Sequence, residues 1–183
     1  MSVMPRDNEW TVADLAQTPD DGLRYELVDG VLLVSPAPTN RHQIAVGELY
    51  LLLRAASPQD VRVMLAPTDY QPTDRRSLQP DLLVARRTDV GDDPISAPLL
   101  LAVEVLSPST RSKDLLLKRG LYEDSGVAAY WVVDLERPSI TGWILRNGRW
   151  ADECTAVGDE HFATDVPFAV SVVPASLVDG AVD

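Results

Sequence analysis

Two acidic residues interrupt the most apolar stretches of this chain. Asp81 follows Pro80 and opens the run Leu82-Leu83-Val84-Ala85, and Glu104 sits near the end of the run from Leu99 to Leu106. Two carboxylates buried together are costly unless something positive lies between them. A hard divalent ion such as Mg²⁺ or Mn²⁺ would serve, because such ions take carboxylate and carbonyl oxygens together with water. Each residue also has a plainer role, Asp81 as the cap of a turn and Glu104 as the partner of an arginine. A third group lies downstream. In the helical pattern from Thr110 to Asp124, at about 100° per residue, Leu115, Leu117, Leu121 and Tyr122 bracket one face. Asp114 and Lys118 fall in the middle of it. A pair spaced by four means little on a solvated face, but on an apolar face it points at the sheet. Lys113 and Lys118 are the two lysines of a chain with fourteen arginines. A compact ammonium suits tasks that a guanidinium fork does not. The plainer reading of Lys118 is a stem lying on the core with its amine in water.

The near-continuous apolar runs Asp81 to Ala85, Leu99 to Leu106 and Ala129 to Asp134 fit strands buried on both faces. If the first two are antiparallel neighbours, the start of one lies beside the end of the other and both carboxylates share one end of the sheet. The connection from Arg86 to Pro98, rich in Pro, Gly and Asp, reads as a loop rather than a crossover helix. Leu23 to Val34 reads as a hairpin: Leu23, Tyr25 and Leu27 alternate with Arg24, Glu26 and Val28, and Asp29-Gly30 turns the chain. Asn147-Gly148 marks a second hairpin. Thr39 or Asn40 opens a helix that reaches Ala56 and stops before Pro58. A short helix follows Trp10, with Thr11 as cap and Asp14 three residues on. Strands are expected near Val61–Leu65 and Asp69–Gln71, with a polar loop from Pro72 to Leu78. The expectation is one α/β domain over 1–183, a mixed β-sheet flanked by helices, with an N-terminal hairpin and a C-terminal β extension.

The 183 residues are 45% apolar and 24% charged, enough for one sizeable core. No apolar run is long enough to span a bilayer, and the N-terminus does not read as a secretory signal. A lone cysteine, Cys154, excludes a disulfide framework and a thiolate zinc cage, so a reducing, cytoplasmic setting is expected. The formal net charge of −12 speaks against a basic nucleic-acid binder. Residues 150–183 hold seven acidic and no basic side chains, which leaves −5 on residues 1–149. A phosphate-binding glycine loop and a nucleophile elbow are both missing, which argues against nucleotide-driven and Ser-His-Asp chemistry.

Gln79-Pro80-Asp81, Val103-Glu104-Val105-Leu106-Ser107-Pro108-Ser109-Thr110, Asp114 with Lys118, and Gly126-Val127 with Tyr130-Trp131-Val132-Val133-Asp134 together resemble the Uma-type family of restriction endonucleases, within the PD-(D/E)XK nuclease superfamily. Tyr25-Glu26-Leu27-Val28-Asp29-Gly30, Ser35-Pro36 and His42-Gln43 extend the resemblance, which covers roughly residues 10 to 145. It implies a restriction-endonuclease-like core in which Asp81, Glu104 and the backbone carbonyl of Val105 hold Mg²⁺ or Mn²⁺. The superfamily's lysine position, two after Glu104, is Leu106 here. The resemblance moves that role to the following helix, at Lys118, with Lys113 the weaker stand-in. The implied reaction is metal-assisted hydrolysis of a phosphodiester, with DNA as substrate. Lys118 would orient a water and offset charge on phosphorus, and Asp114 would position Lys118. Glu26 either completes the site or lies on the polar face of a hairpin strand. His42 either contacts the site or is a satisfied core histidine. Arg86, Arg111 and Lys113 are candidate nucleic-acid contacts, with Arg75, Arg76, Arg87 and Arg119 as further basic candidates. A homodimer through apolar patches of the tail and of Val31–Val34 is expected. The contrasting reading is a non-catalytic module of the same fold that binds a protein partner, which the net charge favours.

Overall fold

In the computed structural model, residues 2–4, 9–106 and 113–179 are described, without the side chains of 2–4, 113–116, 152 and 179. The elements in chain order are β1 (Ser2–Met4), α1 (Val12–Leu15), β2 (Arg24–Val28), β3 (Val31–Ser35), α2 (Asn40–Ala56), β4 (Val61–Leu65), β5 (Tyr70–Thr73), β6 (Arg76–Leu78), β7 (Leu82–Arg86), β8 (Leu101–Val105), α3 (Lys113–Asp124), β9 (Ala129–Asp134), β10 (Ser139–Arg146), β11 (Arg149–Val157), β12 (Phe162–Thr164), β13 (Val170–Val172) and α4 (Ser176–Asp179). Among the described residues a six-stranded sheet runs β11-β10-β9-β8-β7-β4, and a five-stranded sheet runs β1-β3-β2-β6-β5. β7 pairs antiparallel with β8, and β8 pairs parallel with β9 through α3. A helix is the usual way to return a chain to a parallel neighbour. The segment between β7 and β8 holds a single 3₁₀ turn, Arg87–Asp89, as its loop-like composition predicts.

Strict alternation sorts the central strands into two cores. Leu82 and Val84, Leu101, Val103 and Val105, and Ala129, Trp131 and Val133 pack with Ala45, Val46, Leu49 and Leu53 of α2 and with the C-terminal segment. Leu83 and Ala85, Ala102, and Tyr130 and Val132 point the other way, toward Leu121 and Tyr122 of α3 and Val28 and Leu33 of the N-terminal hairpin. The six-stranded sheet is thus covered on both faces, which is why these strands carry no polar stripe. Both hairpin turns form at the expected dipeptides. Asp29 and Gly30 take φ of 46° and 85°, and Asn147 and Gly148 take 51° and 75°, the left-handed pair of a type I′ turn. The Thr39 hydroxyl accepts the His42 amide at the start of α2, and the Thr11 amide and hydroxyl both donate to Asp14 at α1.

Three expectations are corrected. Residues 76–78 form buried β6 instead of a polar loop, because Arg76 finds acceptors on Asp29, on the Leu121 carbonyl and on Ser125. That guanidinium is consumed by the fold and is not a free phosphate contact. Leu117 is exposed, so the buried face of α3 is turned toward Lys118, Leu121 and Tyr122. The apolar patches of the tail, Phe162, Phe168, Val172, Leu177 and Val178, pack into the first core, and β1 covers β3 at Leu32, Leu33 and Val34. Those residues are buried, while Val31 of the same expected patch is exposed.

Gly142 on β10 lies opposite Trp131, and a Cβ there would stand 2.6 Å from Phe162 Cζ and 3.0 Å from Trp131 Cδ1. Those two rings already pack edge to face at 4.9 Å. Gly142→Ala is expected to destabilise the protein by about 1–3 kcal/mol through overpacking, read from urea unfolding midpoints. An unchanged midpoint would mean that the C-terminal extension yields at no cost.

Candidate active site

The register of β7 and β8 pairs Leu82 with Val103, Leu83 with Ala102 and Val84 with Leu101. One step further along the same register sets Asp81 across from Glu104. The two carboxylates share one end of the sheet, as the antiparallel reading requires. Asp81 sits where the layers meet. Its Oδ2 takes the Val105 amide at 2.8 Å and lies 3.1 Å from His42 Nε2 on α2. Its Oδ1 takes the guanidinium of Arg24 on β2, at 2.9 Å from Nη1 and 3.4 Å from Nη2. Of Val105 the structure shows this amide contact.

Glu104 points to the side of the second core, toward Tyr122. Its Oε1 accepts the Lys118 ammonium at 2.9 Å and the Tyr122 hydroxyl at 2.7 Å. Lys118 also donates to Glu26 Oε1 at 3.0 Å, and the Gln79 amide donates to that same oxygen at 3.0 Å. Lys118 is 5% exposed and Glu26 1%. Lys118 is no snorkelling lysine, and Glu26 does not lie on a solvated strand face. The hairpin packs its Arg24–Glu26 face against the sheet, leaving Leu23 exposed. Asp81, Glu104, Lys118, Glu26 and His42 are all brought together. Asp114 lies on α3 with its side chain outside the described residues, as does that of Lys113, and Arg111 is wholly outside them. Arg86 is exposed at the far end of β7, about 16 Å along the strand from Asp81. Arg75 pairs with Glu9, and Arg119 stacks 4.6 Å over Trp143.

Arg24, Tyr122 and Gln79 complete the cluster without having been singled out for it. A signal for Arg24 existed: two residues before Glu26 on a strand, it must share that side chain's face.

Burial, and after it the nearby Asp81 and Glu26, raise the Glu104 carboxyl above its usual range against the pull of Lys118. Burial also pushes at Asp81, but His42, Arg24 and the Val105 amide outweigh it and hold that group low. Burial disfavours the Lys118 ammonium, yet Glu104 and Glu26 more than compensate, so its proton is held more tightly than usual. Three carboxylates face two permanent cations here, which leaves one negative charge when His42 is neutral. That surplus, and the hard oxygen donors of Asp81 and Glu104, suit a divalent cation. Among the described residues no three Asp, Glu, His or Cys side chains converge tightly enough to cage an ion unaided. A metal here would draw on the two carboxylates together with backbone and water oxygens.

A mixed sheet covered on both faces, with its acidic residues and a lysine gathered at one end, defines a restriction-endonuclease-like α/β fold. The family model Uma2, described as putative restriction endonuclease, matches residues 12–169. The chain belongs to that family. The crystal structure of a putative nuclease belonging to DUF820 from Anabaena variabilis shares the fold with a TM-score of 0.74 at 17% identity, over 94% of this chain and 99% of that one. No curated protein matches the chain. Among the described residues no helix is long and apolar enough to cross a membrane.

Lys118→Met would leave Glu26 and Glu104 buried without their ammonium. The expected cost is about 3–5 kcal/mol, read by urea unfolding at neutral pH. Adding Glu26→Gln should recover part of that loss. A Lys118→Met variant as stable as wild type would show that the ammonium does not hold these carboxylates together.

Proposed function

We propose that the protein is a metal-dependent endonuclease that hydrolyses phosphodiester bonds in DNA. The observation that carries this reading is the Lys118 ammonium, held between Glu104 and Glu26 at the end of the sheet where Asp81 is also buried, in a chain of a restriction-endonuclease family. Asp81, Glu104 and the Val105 carbonyl would hold Mg²⁺ or Mn²⁺. When bound, the ion supplies Lewis-acid polarisation of a phosphoryl oxygen and lowers the pKa of a water. Lys118 orients that water and offsets charge building on phosphorus. Glu26 fixes the ammonium in place, since the Gln79 amide anchors its Oε1 from the other side. Tyr122 donates to Glu104 and sets the carboxylate's rotation. Asp114, one turn before Lys118, would support the ammonium's placement. Phosphate contacts from Arg111 and Lys113 belong to the same reading. Cutting both strands of a duplex takes two such sites, which a homodimer supplies.

The net charge of −12 favours a second reading, a protein-binding module that keeps the fold without the reaction. Incubation with supercoiled plasmid in Mg²⁺ or Mn²⁺ separates the two. The nuclease is expected to nick or linearise the plasmid. Asp81→Asn, Glu104→Gln and Lys118→Arg should each slow this by about a hundredfold or more, with cooperative unfolding retained. Intact plasmid with every divalent ion, together with no Mn²⁺ heat in calorimetry, would leave the module.

A further inference from the structure

We propose that Arg24 stands in for the divalent ion on Asp81 in the ion-free protein, and that the ion releases it to bind the substrate's phosphate. This rests on the nuclease reading above. Asp81 Oδ2 is tied to a backbone amide and to His42 on a capped helix, partners that the fold fixes. Oδ1 is held by Arg24, a long side chain with four rotatable bonds. An ion that binds Asp81 at Oδ1 must take the place of that guanidinium.

Three observations make Arg24 the group that yields. Its side chain is 26% exposed, whereas those of Asp81 and Glu26 are 4% and 1%. It shares the lining of one cleft of about 410 Å³ with Asp81, Gln43, Gln79, Leu23 and Val46, so it can turn into open space without unpacking the core. Its second ionic partner is looser, Nε to Glu26 Oε2 at 3.7 Å, and Glu26 keeps Lys118 when Arg24 leaves. Charge balance points the same way. With a divalent ion and the Lys118 ammonium present, the three carboxylates are neutralised without Arg24. The freed guanidinium is then a surplus cation at the mouth of the cleft. A planar fork of donors matches a phosphate's oxygens in two-point contact.

The measurement is Mn²⁺ binding by calorimetry, paired with fluorescence anisotropy of a labelled DNA duplex in Ca²⁺, on wild type and Arg24→Ala. Removing the competitor should tighten Mn²⁺ about tenfold. Removing the phosphate contact should weaken DNA at least fivefold and lower the slope of log affinity against log salt by about one. Arg24→Gln, which keeps a donor to Asp81 without the charge, is expected to move both quantities in the same directions and serves if the alanine variant unfolds. A residue needed only for the fold would weaken both ligands together. Mn²⁺ binding by wild type with equal or weaker binding by the variants would overturn this proposal while the nuclease reading stands. Absence of Mn²⁺ binding in wild type and variants alike would overturn both.

Discussion

Burying three carboxylates at one end of a sheet is the constraint from which the rest of the structure follows. A carboxylate taken from water costs several kcal/mol unless charge and hydrogen bonds replace its hydration. The replacements come from four separate segments: Arg24 from β2, His42 from α2, the Val105 amide from β8, and Lys118 with Tyr122 from α3. None of these segments can shift without stranding a charge. The site thereby fixes how the hairpin, the sheet and both helices sit on one another. Replacing one acid with an amide loosens this lock less than removing a cation does, because the amide retains hydrogen bonding and brings no unpaired charge.

Much of the fold was legible because it rests on local rules. Apolar runs marked β7, β8 and β9 as buried on both faces, and the Asp-Gly and Asn-Gly pairs marked both hairpin turns. Acids interrupting two such runs located the end of the sheet where the buried carboxylates gather. What stayed hidden depends on contacts across long sequence separations. Period-two alternation in the first hairpin put Arg24 and Glu26 on one face but left open whether that face is solvated or turned into the site. Glu26 is buried more deeply than Tyr25. Residues 76–78 resembled a loop because Arg76 is charged, and nothing nearby in sequence announces that Asp29 and the end of α3 will receive it. The phase of α3 was set by a lysine rather than by Leu117, since an ammonium with two carboxylate partners outweighs one leucine's gain from burial.

The distribution of negative charge bears on how such a site could meet a polyanion. Of the seven acidic residues after position 149, Asp152 and Glu153 lie on β11. In the sheet order β11 is the edge strand, separated from β8 by β10 and β9. Each strand step is about 4.8 Å, so these two residues stand more than a Debye length of about 8 Å from the carboxylate cluster at physiological salt. Screening then makes this pair count for less at Asp81 than the charges packed around it.

The position of the lysine follows from helix geometry. Two residues beyond Glu104 a strand side chain returns to the same face, and this chain has Leu106 there. A strand residue offers a single donor there, and its neighbours point to the opposite core. On α3 the donor comes with a companion: residues four apart stack on one face, and Lys118 and Tyr122 both reach Glu104 Oε1. The helix delivers an ammonium and a hydroxyl to one oxygen and still leaves the ammonium a proton for Glu26. A strand lysine would have to be oriented by the strand backbone alone. On the helix, the amine is oriented by two carboxylates on different sheets, and its placement tracks the docking of β2 against β8.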